Sequence, residues 1–413
     1  MSVLTLPRNS GLSSKLRNNQ ISGLFTSAVI ETRSQSEKVI LLLVRDLLRL
    51  GWSFRPDINQ SLELVPPASY EKDVIRKGME FSRQSIIQQD RHWIDKHIKY
   101  ARENLANGID VLKSRIDPVI EVCETQKQKD LFRMFRYYWS SPASEYVGRR
   151  IRILIRDRGL PNSPVIGIAA IGSSIIHIPD RDNWIGWDIK TRTNRIIYIM
   201  DAYVVGALPP YNELLGGKLI TYLLASNELR KIYQKKYAKS QTIINARKRV
   251  SDLVLIMTTS LYGANSSQYN RLRYKNSLLC KPIGATSGFG TIHISGETFL
   301  AMRKLLESKG YDISHKFGDG PNWRMRVVRT ACDMLNLNSD VILRHSFKRG
   351  IFAIPLAVNW KAFLNGDVKK PKYRNMSVKQ LTAHWRMRWL EMRKQNKEVL
   401  ERVIKISPED FIV

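Results

Sequence analysis

From Ser36 onward the chain sets apolar residues at helical spacing. Val39, Leu42, Leu43, Leu47 and Leu50 fall on one face, Ser36 stands at an N-cap position and Gly51 where the helix should stop. Segments 52–54 and 62–65 read as two short strands of a hairpin, closed by Pro66 and Pro67. Residues 68–128 are charged and poor in proline and glycine. Ile75, Met79, Phe81, Ile86, Ile87, Trp93, Ile94 and Ile98 fit helices with one buried face, which predicts a helical connector. Residues 129–156 predict a further helical region broken at Pro142. There Phe132, Phe135, Tyr137, Tyr138 and Trp139 are interleaved with Arg133 and Arg136. Such a stripe either packs on a core or stacks on bases, and packing is the ordinary outcome for one face of a helix.

The middle of the chain changes character. Segments 165–171, 174–178, 195–200 and 203–205 are apolar, rich in isoleucine and bounded by glycine and proline, as strands are. A helix is predicted over 212–237, after Pro209 and Pro210, and a buried strand over 253–257. This strand–helix–strand order predicts an α/β (α+β) protein with a central mixed sheet and packed helices, a GNAT-like layout being one form of it. Helices are expected over 297–308 and 327–335, a strand or short apolar packing segment over 351–358, and a last helix capped by Ser377 and running to about Ile404. The expected organisation is an N-terminal helix-plus-hairpin module (1–67), a helical connector (68–128), a central α/β core (129–300) and a C-terminal basic helical region (301–413).

Composition adds a partner. The 413 residues carry 67 Lys and Arg against 37 Asp and Glu, a formal net charge of +30 with a pI near 10.1. An excess of this size attracts polyanions by counterion release, so nucleic acid, most simply DNA, is the expected partner. An acidic protein partner is the alternative. No apolar run is long enough to cross a bilayer, and no basic amphipathic helix stands alone at a terminus, so no membrane partner is expected. Cys123, Cys280 and Cys332 are far apart and form no CxxC pair. That excludes a cysteine zinc site and points to a reducing compartment. The first residues lack the apolar core of a secretory signal, which makes the cytoplasm the expected location.

Candidate chemistry is sparse. The string 214–218 imitates a phosphate loop but fails it. Asn212 stands where the first glycine belongs, and Leu219 where Ser or Thr must follow Lys218. Gly206, Asn212, Gly216, Gly217 and Lys218 still lie between a predicted strand and helix, where free amides can hold a phosphate. GNAT-type acetyltransferases hold coenzyme A with this layout, although their Q/R-x-x-G-x-G/A signature is absent. No cofactor is expected otherwise. Asp182, Asp188 and Asp201 could share a metal in a nuclease, yet Asp182 more simply pairs with Arg181, and no metal is expected. Ser266, Ser267, Tyr269 and Asn270, followed by Arg271, make a polar loop after a buried strand, suited to phosphates or base edges. His293 and His345 are the histidines best placed for a role, and Asp182, Asp201 and His293 are the catalytic candidates. For nucleic acid the candidates are Arg149, Arg150, Arg271, Arg324, Arg326, Arg386 and Arg388. The last two flank Trp385 and Trp389, which share a helix face.

A set of strings in fixed order carries a family resemblance. They are Tyr138-Trp139-Ser140-Ser141-Pro142, Arg181-Asp182-x-Trp184-Ile185-Gly186-Trp187, Met200-Asp201-Ala202-Tyr203, Gly206-Ala207-Leu208-Pro209-Pro210-Tyr211-Asn212, Leu215-Gly216-Gly217-Lys218-Leu219, Ser266-Ser267-x-Tyr269-Asn270-Arg271 and Phe317-Gly318-x-Gly320-Pro321-Asn322-Trp323. Together they resemble the DruA family of the Druantia anti-phage defence system. The resemblance implies a bacterial protein that works beside other Druantia components, one of them large and helicase-like. It implies no catalytic residues. The expectation is therefore a defence component that binds nucleic acid. A GNAT-like acyltransferase or nuclease-type enzyme and an assembly subunit for acidic proteins are the rival readings.

Overall fold

The computed structural model describes residues 4–5, 33–56, 62–67, 70–140, 148–238, 251–263, 268–312, 323–344 and 348–411. Along the chain, β1 (Leu4–Thr5) is followed by α1 (Gln35–Arg49), β2 (Ser53–Pro56), β3 (Leu62–Val65) and α2 (Lys72–Gln89). The predicted first helix forms, but its cap is Ser34. The Ser34 hydroxyl accepts from the Glu37 amide while the Glu37 carboxylate reaches back, a capping box that Ser36 cannot make. Then come α3 (Arg91–Glu103), α4 (Gly108–Lys113), β4 (Pro118–Val122), α5 (Gln126–Arg136), β5 (Arg150–Asp157), β6 (Val165–Ser173), α6 (Pro179–Ile185), α7 (Ile189–Arg195) and β7 (Ile199–Ala207). These differ from expectation in four ways. Of the strand expected over 195–200 only Ile199 and Met200 form, because Arg195 ends α7 and 196–198 make a 3-10 turn. Segment 118–122 is a strand. Arg150, Arg152 and Arg156 sit on a strand whose arginines alternate with isoleucine or leucine. Residues 174–178 join β6 to α6 without pairing.

The order continues with α8 (Gly216–Leu223), α9 (Asn227–Tyr237), β8 (Leu255–Ser260), the small hairpin β9 (Arg273–Tyr274) and β10 (Ser277–Leu278), and β11 (Lys281–Ala285). The single helix expected over 212–237 is two, because Ser226 accepts from the Leu229 amide and caps a second start. After α10 (Gly296–Ser308), α11 (Trp323–Met334) and α12 (Ser339–Leu343) come β12 (Gly350–Pro355), α13 (Trp360–Asn365) and α14 (Val378–Trp385). Ser377 caps α14 as expected. The helix then widens into a π turn over Arg386–Leu390, resumes as α15 (Glu391–Lys394), stops at Asn396, and α16 (Lys397–Lys405) follows.

The chain divides into two compact units. One comprises 1–90, 140–142 and 287–348, and the other 91–139, 143–286 and 349–413. In the first, β1, β3 and β2 form a three-stranded antiparallel sheet. Arg45 of α1 pairs with Glu297 of α10, and Asp46 accepts from the Ser295 amide and the Thr298 hydroxyl. Burial raises the Asp46 carboxyl above its ordinary value against those bonds.

The second unit is built on a seven-stranded mixed sheet, β11-β12-β8-β7-β6-β5-β4. All neighbours are antiparallel except β7 and β8. Side chains alternate between two cores, as the period of a strand requires. Ile151, Ile153 and Ile155 of β5, Met200 of β7, Ile256 of β8 and Phe352 of β12 join one core with α8, α9 and α14. Ile199, Leu255, Met257 and Ile351 join another with α6 and α13. β6 is buried nearly throughout, which is why its sequence reads as continuous apolar residues. Among the described residues no helix is long and apolar enough to cross a membrane.

Candidate functional site

The site begins where the one parallel pair of strands comes apart. β7 and β8 are in register from Ile199 and Leu255 to Ala202 and Thr258. Beyond that point β7 stays with β6 as far as Ala207, while β8 stays with β12 as far as Ser260. The gap is filled from the segment after β8. Gln268 Nε2 donates to Val205 O at 3.1 Å, and buried Tyr269 packs on Phe352 with ring centroids 5.1 Å apart. The loop after β7 and the chain after β8, separate in sequence, thus share one location. Ser266 and Ser267 lie outside the described residues, as does His345. Asn270 is half-buried beside Tyr269.

The glycines of the loop serve close packing. A Cβ on Gly206 would stand 2.4 Å from the Trp139 indole, one on Gly216 2.7 Å from Tyr211 O, and one on Gly217 3.2 Å from the Gln268 carboxamide. The loop amides turn inward too. Those of Asn212, Glu213, Leu214, Leu215, Gly216 and Lys218 donate to carbonyls between Leu208 and Leu215. The Asn212 side chain donates to Tyr138 OH at 3.1 Å. From outside, the C-terminal helix docks on the loop's remaining acceptors. Trp385 Nε1 donates to Leu215 O at 3.1 Å and Arg393 Nε to Glu213 O at 2.8 Å.

This docking leaves Lys218 recessed. It is 8% exposed, and its ammonium stands 4.4 Å from the centroid of Trp389. Burial first, then the neighbouring Arg271 guanidinium, lowers its pKa from 10.5 to about 8. Around it lies a shell of cations and rings drawn from three stretches of chain. Arg271 and Lys275 bracket β9, both with left-handed backbone at φ 64° and 53°, a conformation few residues other than glycine adopt. Arg273 O accepts from Tyr222 OH at 2.8 Å and lies 2.7 Å from His384 Nε2. Trp389 Nε1 donates to Tyr222 OH at 3.4 Å. The π turn carries Arg388 to 5.5 Å from the Trp389 centroid, and Lys275 lies 5.9 Å from that of Tyr274. Arg271, Arg273, Lys275 and Arg388 are exposed, and among the described residues none of them pairs with a carboxylate. π turns and left-handed residues recur at functional sites, and this shell holds both.

The other candidate residues are spread elsewhere. The Arg149 guanidinium is buried, bonded to Ile197 O, Ile199 O and Tyr233 OH. Arg150 is exposed at the start of β5. In the other unit Arg324 donates to Thr291 Oγ1 and Ile294 O and stacks 4.0 Å from the Phe299 centroid, and Arg326 is half-buried. Arg386 donates to Ile116 O. Asp182 is held by Arg181 and Arg192, with His177 Nδ1 at 3.3 Å. Asp188 caps α7 through the Thr191 amide. Asp201 accepts from Ser174 Oγ and the Ile175 amide, and burial raises its pKa to about 6. His293 is buried. Among the described residues no three His, Cys, Asp or Glu side chains gather as metal ligands. His384 and Tyr274 had not been singled out. The available signal was the i, i+4 spacing of His384 and Arg388 and the alternation of cations about Tyr274.

Comparison with known proteins gives one consistent result. The family model described as Druantia protein DruA matches residues 69–366. Druantia protein DruA of Escherichia coli (strain UMEA 4076-1) is 37% identical over 323 residues, covering 77% of this chain and 79% of that protein. No solved structure matches.

Proposed function

The chain belongs to the DruA family of the Druantia anti-phage defence system, and on that premise we propose that it serves that system by binding nucleic acid through the shell around Lys218. The observation that carries this reading is the gathering of Arg271, Arg273 and Lys275 from one short segment with Arg388 from another, exposed and with no carboxylate partner among the described residues. Like charges drawn together by folding repel one another, and a phosphate backbone relieves that repulsion by releasing counterions. The rings beneath pin the cations in place, which lowers the ordering cost of binding. Titration of a labelled DNA duplex at several salt concentrations tests it. With four to five contacts, log K should fall against log salt with a slope of about −4. Absence of binding at low salt, or binding that a quadruple glutamine variant at these four residues leaves unchanged, rejects it. Co-purification with acidic proteins without nucleic acid would favour the assembly-subunit reading instead.

A second reading keeps acyl-coenzyme A. Its support is the strand–loop–helix order of β7, the 208–215 loop and α8, the GNAT layout. Against it, most of the loop amides bond within the loop and the C-terminal helix occupies its outer carbonyls. A thermal shift on adding acetyl-coenzyme A would revive it.

A further inference from the structure

A second concentration of positive charge lies at the far end of α9, away from the loop. Three elements meet there. β4 pairs with β5 from Asp157 as far as Ile153, the Cys123 amide after it still donates to Arg152 O, and Arg150 extends past the edge strand. Side chains of α9 replace the missing strand. Lys236 Nζ donates to Arg150 O at 3.0 Å, and Tyr237 OH accepts from the Arg150 amide at 2.9 Å. Arg152 stacks 5.6 Å from the centroid of Phe132 on α5, and exposed Lys129 extends from the same helix. Partial burial holds the Lys236 ammonium below its ordinary value; the Glu124 carboxylate opposes this more strongly than either Arg150 or Lys129 adds to it. Glu121 beside them is engaged by Arg156. This is the same arrangement as the first shell: cations from several elements, brought together on folding.

The two clusters are joined along one layer of helices. α14 starts at Val378, whose amide donates to the Glu228 carboxylate on the first turn of α9, and it leads to Arg388. α9 leads from Glu228 to Lys236. At about 1.5 Å of rise per residue the two helices keep Arg388 and Lys236 within roughly 35 Å of each other, the length of about ten base pairs. Lys379, Lys231 and Lys235 are exposed along the way. The rings at both ends are already engaged. Phe132 is buried, and Trp389 lies beside Lys218 and Arg388 and donates its N–H to Tyr222. They orient cations toward a backbone and offer little open face on which a base could stack.

We propose that Lys129, Arg150, Arg152 and Lys236 form a second phosphate-binding site, and that the two clusters engage one stiff nucleic-acid duplex at points no more than about ten base pairs apart. This rests on the reading of the first shell as a nucleic-acid surface. The test uses DNA hairpins with stems of about 6 and about 16 base pairs, titrated against the full chain. The wild type should bind the long stem at least about tenfold more tightly, because the second contact becomes intramolecular. The Arg150→Glu/Lys236→Glu variant should lose that advantage while its affinity for the short stem changes by no more than about twofold. Equal losses for both stems, or an unaffected long stem, overturn the proposal. So does a single strand that binds as tightly as the long stem. If neither stem binds the wild type at low salt, the first reading fails as well. Lysine acetylation of the wild-type complexes, read by mass spectrometry, gives a check free of folding effects. Lys236 should be protected by the long stem and not by the short one.

Discussion

The ammonium of Lys218 lies 4.4 Å from the centroid of Trp389, joining the first turn of α8 to the π turn of the last long helix. The contact holds a cation in a recess that burial and Arg271 make unfavourable for charge, hence its pKa of about 8.

Polyanion affinity should therefore weaken as pH rises through about 8, where Lys218 loses its proton. Stability follows the opposite sign. The folded-state value lies below the ordinary 10.5, so the unfolded chain binds more protons between the two and stability rises with pH across that window. Lys218→Met should abolish the step in affinity near pH 8 and reduce the salt slope by about 1. Anisotropy titrations from pH 6.5 to 9.5 measure both, and a wild-type affinity that is flat across the range contradicts the assignment.

Arg271→Gln and Arg388→Gln should each lower the magnitude of the salt slope by about 1 and leave thermal unfolding within about 0.5 kcal/mol of wild type, since both side chains are exposed. Arg149→Met is the contrasting case. It strips hydrogen bonds from Tyr233, from the buried Ile199 carbonyl and from the part-buried Ile197 carbonyl, and each buried unsatisfied group costs about 1–3 kcal/mol. Its effect should appear in the melting temperature rather than in the salt slope.

Gly206→Ala should destabilise the second unit by about 1–3 kcal/mol, because the new methyl would enter the Trp139 ring. Denaturant unfolding measures the loss, and pairing it with a smaller residue at Trp139 should show non-additive recovery. A neutral Gly206→Ala would return that glycine to a role in ligand approach.

Asp201 titrates inside the fold at about 6, raised by burial from 3.8 against bonds from Ser174 and Ile175. The folded state therefore binds more protons between those values. Its contribution to stability is fully present below about 3.8 and is lost as pH rises through about 6. Thermal unfolding between pH 4 and 7 should include this falling component, and Asp201→Asn should remove it.

Hydrophobic spacing along the chain located the helices of 35–49 and 296–308, the hairpin of β2 and β3, and the apolar strands β6, β8 and β12, because each writes its period into its own residues. It missed β4 and misread β5. Arginines that alternate with isoleucine on a strand near a sheet edge resemble the solvated face of a helix over so short a run.

Composition alone determined that the protein carries a large excess of positive charge, and the ordered strings alone determined its kinship. Which cations remain available to a partner was decided only by the tertiary structure. Arg149, Arg324 and Arg386 belong to arginine-rich strings no different from those of Arg271 and Arg388, yet the first three find carbonyls supplied from distant segments. Lys218 met Trp389 and Arg271 because two strands part and the last helix closes over the loop between them. A local pattern records which face of an element is buried, but the groups that satisfy or crowd that face come from the rest of the chain.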